Sequence, residues 1–192
     1  VYFGHVGMSS PSRSGTTHLT VETVLQGDGW NQGWRLWKEI AGNFKAVTER
    51  SFGVPDGVNS GQFGIGIVID FFGLSSQASG FPVEFVYPPL TTLVPANIAI
   101  IKGAPHPQAA AAFIEFLLSP EGQLVLLDPK IRRLPVNPAT YAKAPPGFPN
   151  PFKDKSIGAA VKFDLKLSKN RYNVVNSLFD VMITYRLEEL RD

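Results

Sequence analysis

With 192 residues, the chain is long enough to bury a proper core as one domain or one and a half. Its 44% hydrophobic and 18% charged content excludes a disordered chain, and a net charge of +2 without a Lys/Arg run excludes a nucleic-acid groove or a polybasic membrane patch. Cysteine is absent, which removes disulfides, thiol catalysis and Cys-based metal sites, and which suits an oxidising compartment and the cytosol equally.

Residues 3–8 read as a short buried strand. The following stretch, Ser9 to Thr17 (SSPSRSGTT), reads as a loop that breaks into a helix. Pro11 ends the strand, Ser14 suits an N-cap, and Gly15 lets a ligand approach the backbone. Thr16 and Thr17 add hydroxyls beside the first free amides. A helix start carries roughly half a positive charge and about four unpaired N–H groups, so phosphate or carboxylate is its natural guest. An ordinary capped helix accounts for the same residues equally well.

That helix is expected from Thr16 to about Gln26, stopped by Gly27, Asp28 and Gly29. His18 within it reads as a ligand contact or, more readily, as a surface or capping residue. Trp30, Trp34, Trp37, Ala41 and Phe44 recur at helical spacing, a stripe that favours core over a pocket lining. Phe63 to Ile69 (FGIGIVI) is expected to be a central strand buried on both faces. Asp70 follows directly, where open α/β sheets place ligands, or where a carboxylate simply orients the next turn.

Pro82 to Tyr87 reads as another strand, closed by Pro88 and Pro89, and Ile98 to Ile101 is a fourth apolar run. Pro107 opens a helix over 108–118, and Ser119 with Pro120 caps the next one, from Glu121 to about Leu127. Residues 135–152 are rich in Pro and Gly and read as a long surface loop or lip. A final helix is marked by Tyr172, Val175, Leu178, Phe179, Met182, Ile183 and Leu187, with Arg186, Glu188, Glu189 and Arg191 near its end. Strands alternating with helices indicate an α/β fold with a mixed, mostly parallel sheet flanked by helices.

Nothing in the chain argues for catalysis. His5, His18 and His106 stand far apart, outside any metal-ligand spacing. There is no nucleophile elbow, no Walker loop and no dinucleotide fingerprint. No enzyme activity, no metal and no cofactor is therefore expected. The start at Val1, Tyr2 and Phe3, without a Met or a signal-peptide pattern, reads as a cut piece or mature fragment.

The motifs come in a telling order: Pro11–Thr17 (PSRSGTT), Gly29–Trp34 (GWNQGW), Gly64–Phe72 (GIGIVIDFF), Ala104–Pro107 (APHP) and Leu117–Gln123 (LLSPEGQ). Over roughly residues 5–138 this resembles the periplasmic substrate-binding proteins of ABC importers, in the group that holds ferric-ion, phosphoglycerate and sugar-phosphate binders. The segment Tyr172–Leu190 is similar to the extended tail of the phosphoglycerate branch.

The resemblance implies a type II periplasmic-binding fold, in which two α/β lobes joined by crossover strands clamp the ligand. On this reading residues 1–95 are the second lobe, and 96–135 are a crossover strand and helix pair belonging to a first lobe. Residues 136–192 are then a Pro-rich loop and C-terminal helix returning to the second lobe. Ser14, Gly15 and Thr16 match the family's anion-holding helix start, with Thr17 and Arg13 as weaker candidates.

Ferric binders of the group carry a Tyr pair after the central strand; Phe71 and Phe72 stand there instead, and phenylalanine offers a metal no ligand atom. Asp70 beside Phe71 suits the hydroxyls and carbon faces of an organic solute better. The implied function is the periplasmic solute-binding component of a bacterial ABC transporter for a phosphorylated or anionic small organic molecule, with an ABC permease as partner. A ligand-sensing input to a sensor kinase is the alternative, and an enzyme on a related lobe the third. Without a first lobe, Ile98–Ile101 and Phe113–Leu118 would lack cover, and self-association is expected.

Overall fold

The computed structural model describes residues 2–158 and 161–191. Strand β1 (Val6–Ser9) runs through the Ser/Thr loop into helix α1 (Gly15–Gly27), which is followed by α2 (Trp30–Ala41), β2 (Phe44–Thr48), α3 (Gly53–Asn59) and β3 (Ile65–Gly66). Helix α4 (Asp70–Ala78) follows β3, and after a long stretch without helix or strand come α5 (Pro107–Leu118) and α6 (Pro120–Val125). A 3-10 helix (Pro138–Lys143), α7 (Leu165–Asn170), α8 (Tyr172–Met182) and a last 3-10 turn (Thr184–Arg186) complete the described elements.

The sheet is small and parallel, in the order β2-β1-β3, with Val6 opposite Phe44 and Ile65. As its middle strand, β1 is buried at all four positions. The fold is thus α/β, a parallel sheet flanked by helices. Val6, Met8, Val21, Leu25, Trp34, Trp37, Phe44, Val175, Phe179 and Ile183 form the principal core. Trp34, Trp37 and Ala41 of the stripe are core, as their spacing suggested, whereas Trp30 at its start is 36% exposed, its ring carrying the Arg171 guanidinium at 4.9 Å. Helix α1 has apolar residues on one side and His18, Glu22 and Gln26 on another; the second side is covered too, because α7 and α8 bind it through polar contacts.

Several expected elements differ. Phe44 shares the buried core but not the helix, which ends at Ala41; it opens β2 instead. The run Phe63–Ile69 is not a central, doubly buried strand. Only Ile65 and Gly66 pair, at the sheet edge, and Ile65 is 41% exposed. Phe63 turns its ring between Gly7 and Gly57, where an added Cβ would come within 2.3 and 2.4 Å of it, so the first apolar residue is spent on packing rather than on the ladder.

Pro82–Tyr87 and Ile98–Ile101 carry no regular secondary structure and are not β-strands, and Ile98, Ile100 and Ile101 are exposed. Strand-like residues realise their preference only against a neighbour that supplies hydrogen bonds and a packed face. The C-terminal helix stops at Met182 rather than continuing toward Leu190, though Leu187 and Leu190 still pack on the core. Strand β2 and helices α3 and α7 carry too few periodic residues to be read from the sequence.

The segment Ser119–Gln123 acts as a joint. Ser119 caps α6 by accepting the Gly122 N–H at 3.1 Å, and Pro120 occupies the first turn. A Cβ on Gly122 would lie 1.9 Å from the Phe116 carbonyl oxygen, so only glycine lets α6 pass the end of α5 this closely. Buried Gln123 donates to the Leu117 carbonyl at 2.7 Å and accepts the N–H groups of Val136 and Asn137 at 2.8 and 3.2 Å.

Candidate functional site

The turn from β1 into α1 is fixed from inside. Ser14 is buried and its hydroxyl accepts the Thr17 N–H at 3.2 Å, the expected N-cap bond. Thr17 is buried as well, its hydroxyl bonded to that of Ser9. Ser10 bonds Ser12 at 2.7 Å and donates to Asp180 of α8 at 3.3 Å, and Asp180 also accepts from Thr184 at 2.9 Å. The loop is therefore held by the C-terminal segment.

Outward, the picture changes. Gly15 is exposed, with nothing within 4 Å of where a Cβ would sit, and Thr16 is partly exposed. Their N–H groups, the first two of α1, have no hydrogen-bond partner among the described residues. Of the sequence candidates, Gly15 and Thr16 are thus open to solvent, whereas Ser14 and Thr17 are turned inward and shape the turn. Arg13 lies at the surface, paired at 3.2 Å with Glu49.

His18 is neither a ligand contact nor a surface residue. It is 2% exposed, its Nδ1 bonded to Asn176 at 2.8 Å and its Nε2 to Ser168 at 3.0 Å, with the ring 4.3 Å from that of Tyr172. One turn on, Glu22 receives a bidentate bond from Arg171 at 2.8 and 2.7 Å. These residues sew α1 to α7 and α8.

Thr16 and Asp70 line one cavity of about 990 Å³, together with Thr20 and Thr23 of α1, Ser76 of α4 and Tyr87 of the long connection that follows α4. Asp70 begins α4. Its Oδ1 accepts the Phe71 N–H at 2.8 Å and its Oδ2 accepts the Tyr87 hydroxyl at 3.0 Å, so it orients the turn and faces the cavity at once. The Phe71 ring leans on Phe72 at 4.7 Å and carries the guanidinium of Arg133 at 3.8 Å.

Burial first, then the charge and hydrogen bond of Asp70, raise the Tyr87 phenol far above its ordinary range. Tyr141, whose hydroxyl donates to the Pro135 carbonyl at 2.9 Å, is pushed up from 10.0 to about 12, by burial first and by Asp70 second. Both phenols therefore stay protonated as hydrogen-bond donors near neutral pH. Because the folded chain binds the Tyr141 proton more tightly than the unfolded one, this stabilisation is whole below pH 10.0 and is lost as pH rises through about 12. Urea midpoints measured across that window are expected to fall with pH, and to fall less steeply in Tyr141→Phe.

Tyr87, Tyr141 and Arg133 escape sequence reasoning, because no spacing links them to Asp70; segments far along the chain bring them there. Among the described residues no three His, Asp or Glu side chains are grouped to hold a metal, and no helix is long and apolar enough to cross a membrane.

The family model described as bacterial extracellular solute-binding protein matches residues 1–162. The phosphoglycerate transport regulatory proteins PgtC of Salmonella typhimurium and Salmonella typhi are each 36% identical over 191 residues, covering 100% of this chain and 47% of their own. An uncharacterized protein of Haemophilus influenzae is 28% identical over 125 residues, 62% of this chain and 35% of its own. The chain thus spans about half the length of the curated relatives it matches.

Proposed function

Since the chain belongs to the bacterial extracellular solute-binding protein family, we propose that it acts as the solute-binding component of a periplasmic ABC importer for a phosphorylated or anionic small organic molecule. One observation carries the reading. The N–H groups of Gly15 and Thr16, unpaired among the described residues, open a helix whose Thr16 shares a cavity with a carboxylate and a phenol.

The amides of Gly15 and Thr16, with the Thr16 hydroxyl, take the anionic group, helped by the partial positive charge of the helix end. Asp70 accepts from a solute hydroxyl while Tyr87 holds the carboxylate in place, and Ile67 and Phe85 supply an apolar wall; Phe71, the sequence candidate for that wall, packs on Phe72 and Arg133 outside the cavity lining. The type II clamshell assigns residues 1–95 and 136–192 to one lobe and 96–135 to the other, whose closure buries the solute's second face. The solute is held without being turned over, and ferric ion is not its cargo, since Phe71 and Phe72 offer no ligand atom. The Salmonella relatives are named transport regulatory proteins, which favours a second reading in which the liganded state is presented to a sensor kinase rather than to a permease.

The test is calorimetric titration of the intact protein with 3-phosphoglycerate. Charge-assisted hydrogen bonds contribute about 1.5–3 kcal/mol each, so Thr16→Val or Gly15→Leu is expected to weaken binding at least tenfold. The urea midpoint should hold, because Gly15 has open space around it. Unchanged affinity in both variants would remove the helix start from the site.

A further inference from the structure

Two stretches of backbone line the cavity with hydrogen bonds unmade. On the β3 side, Ile65 and Ile67 donate to the His5 and Gly7 carbonyls at 3.1 and 2.9 Å, so the alternate residues turn their groups to the free edge. There the Val68 N–H and carbonyl have no partner among the described residues. In the second stretch, Glu84 to Tyr87, no backbone group has one either. Its side chains nevertheless alternate as in a strand, Val83, Phe85 and Tyr87 being half-buried and Glu84 and Val86 exposed. Backbone groups taken out of water must be paired, and a strand lying between the two stretches would serve both.

The cavity has the size and the lining for one such strand. Five residues of strand fill roughly 800 Å³, from a rise of about 3.3 Å per residue, about 4.8 Å between strands and about 10 Å between packed layers. The cavity measures about 990 Å³, enough for one strand and not for two. Leu19, Leu36, Ile40, Val58, Phe85 and Leu90 line it, so the strand that enters is apolar. Thr16 and Asp70 stand past the ends of β1 and β3, where a strand in the slot floors the solute site rather than displacing it.

We infer that the slot takes Asn97–Ile101 of a second copy of this chain, exchanged reciprocally in a symmetric dimer. The segment is apolar and rich in β-branched residues, and its N–H groups have no partner among the described residues. Ile98, Ile100 and Ile101 are 49%, 42% and 75% exposed. It also starts from the slot itself: Val94 lines the wall, and only Pro95, Ala96 and Asn97 separate it from Ile98. A hinge this short, stiffened by proline, favours passing the segment to a neighbour over folding it back. Each copy gives one strand and receives one, so the exchange closes at two chains.

The chain has no cysteine, so introduced ones report cleanly. Size-exclusion chromatography with light scattering should give the mass of two chains for the wild type. Ile100→Lys should raise the dissociation constant at least about tenfold, while Ile100→Val leaves it within about threefold. Because Ile100 is 42% exposed in the single chain, Ile100→Lys should stay folded as a monomer by circular dichroism. Chains carrying Val68→Cys and chains carrying Ile100→Cys, differently tagged and refolded together, should be joined by a short bis-maleimide. Val68→Cys alone should not be joined to itself. A wild type that is monomeric at every concentration, or a dimer indifferent to Ile100→Lys, would overturn the exchange. Cross-linking confined to single chains of a Val68→Cys, Ile100→Cys double variant would overturn it in favour of the chain's own segment. A monomer whose Val68 amide is protected from hydrogen exchange would overturn it as well, the slot then belonging to a different strand. The solute reading stands apart from these outcomes and is decided by the Thr16→Val titration.

Discussion

Arg171→Leu is expected to lower the unfolding free energy by about 3–5 kcal/mol, read as a shift of the urea midpoint, because it strands a buried carboxylate. The Glu22 side chain is 0% exposed, and its two oxygens face the Arg171 guanidinium at 2.8 and 2.7 Å. Gln26 donates to one of them at 3.0 Å, but a neutral amide cannot replace the charge. The loss should be larger than that from deleting both partners, since Glu22→Gln combined with Arg171→Leu leaves no uncompensated ion. A double variant as unstable as, or less stable than, Arg171→Leu would refute this account. The contact matters beyond stability. Arg171 immediately precedes α8, and α8 carries Asp180, which holds the Ser10 hydroxyl at the base of the helix start.

Trp37→Ala should cost a similar amount, about 3–5 kcal/mol, as expected for deleting a large buried aromatic. Trp37 is 2% exposed, meets Phe179 edge to face at 6.2 Å and 70°, and donates its indole N–H to the Val21 carbonyl at 3.3 Å. Its loss opens a void between α1, α2 and α8 and removes that donor. Trp37→Phe keeps much of the ring volume, though not the hydrogen bond, and should recover roughly half of the loss. Equal midpoints for Trp37→Ala and wild type would show that this core is not the one holding the C-terminal helix.

What could be read in advance follows the range of the interactions involved. The Ser14 cap, the limits of α1 and the cap of α6 rest on contacts within a few residues, and these appear where the sequence put them. The tryptophan stripe identified core for the same reason. The apolar run after Phe63 and the segments at Pro82 and Ile98 were misread because a strand is completed by its neighbour, and only Ile65 and Gly66 found one. The histidine in α1 was misjudged because its partners, Ser168 and Asn176, lie at the far end of the chain.

Taken alone, the sequence determined the α/β alternation, the capped helix start at Ser14, and the order of motifs that marks the family. Only the tertiary structure decided that Thr16 and Asp70 share a cavity, that Tyr87 occupies one oxygen of that carboxylate, and that a guanidinium more than sixty positions along the chain rests on Phe71. The reason is physical. Caps and helix ends are fixed by hydrogen bonds between near neighbours, whereas a binding corner is made by segments whose meeting is set by the burial of everything between them.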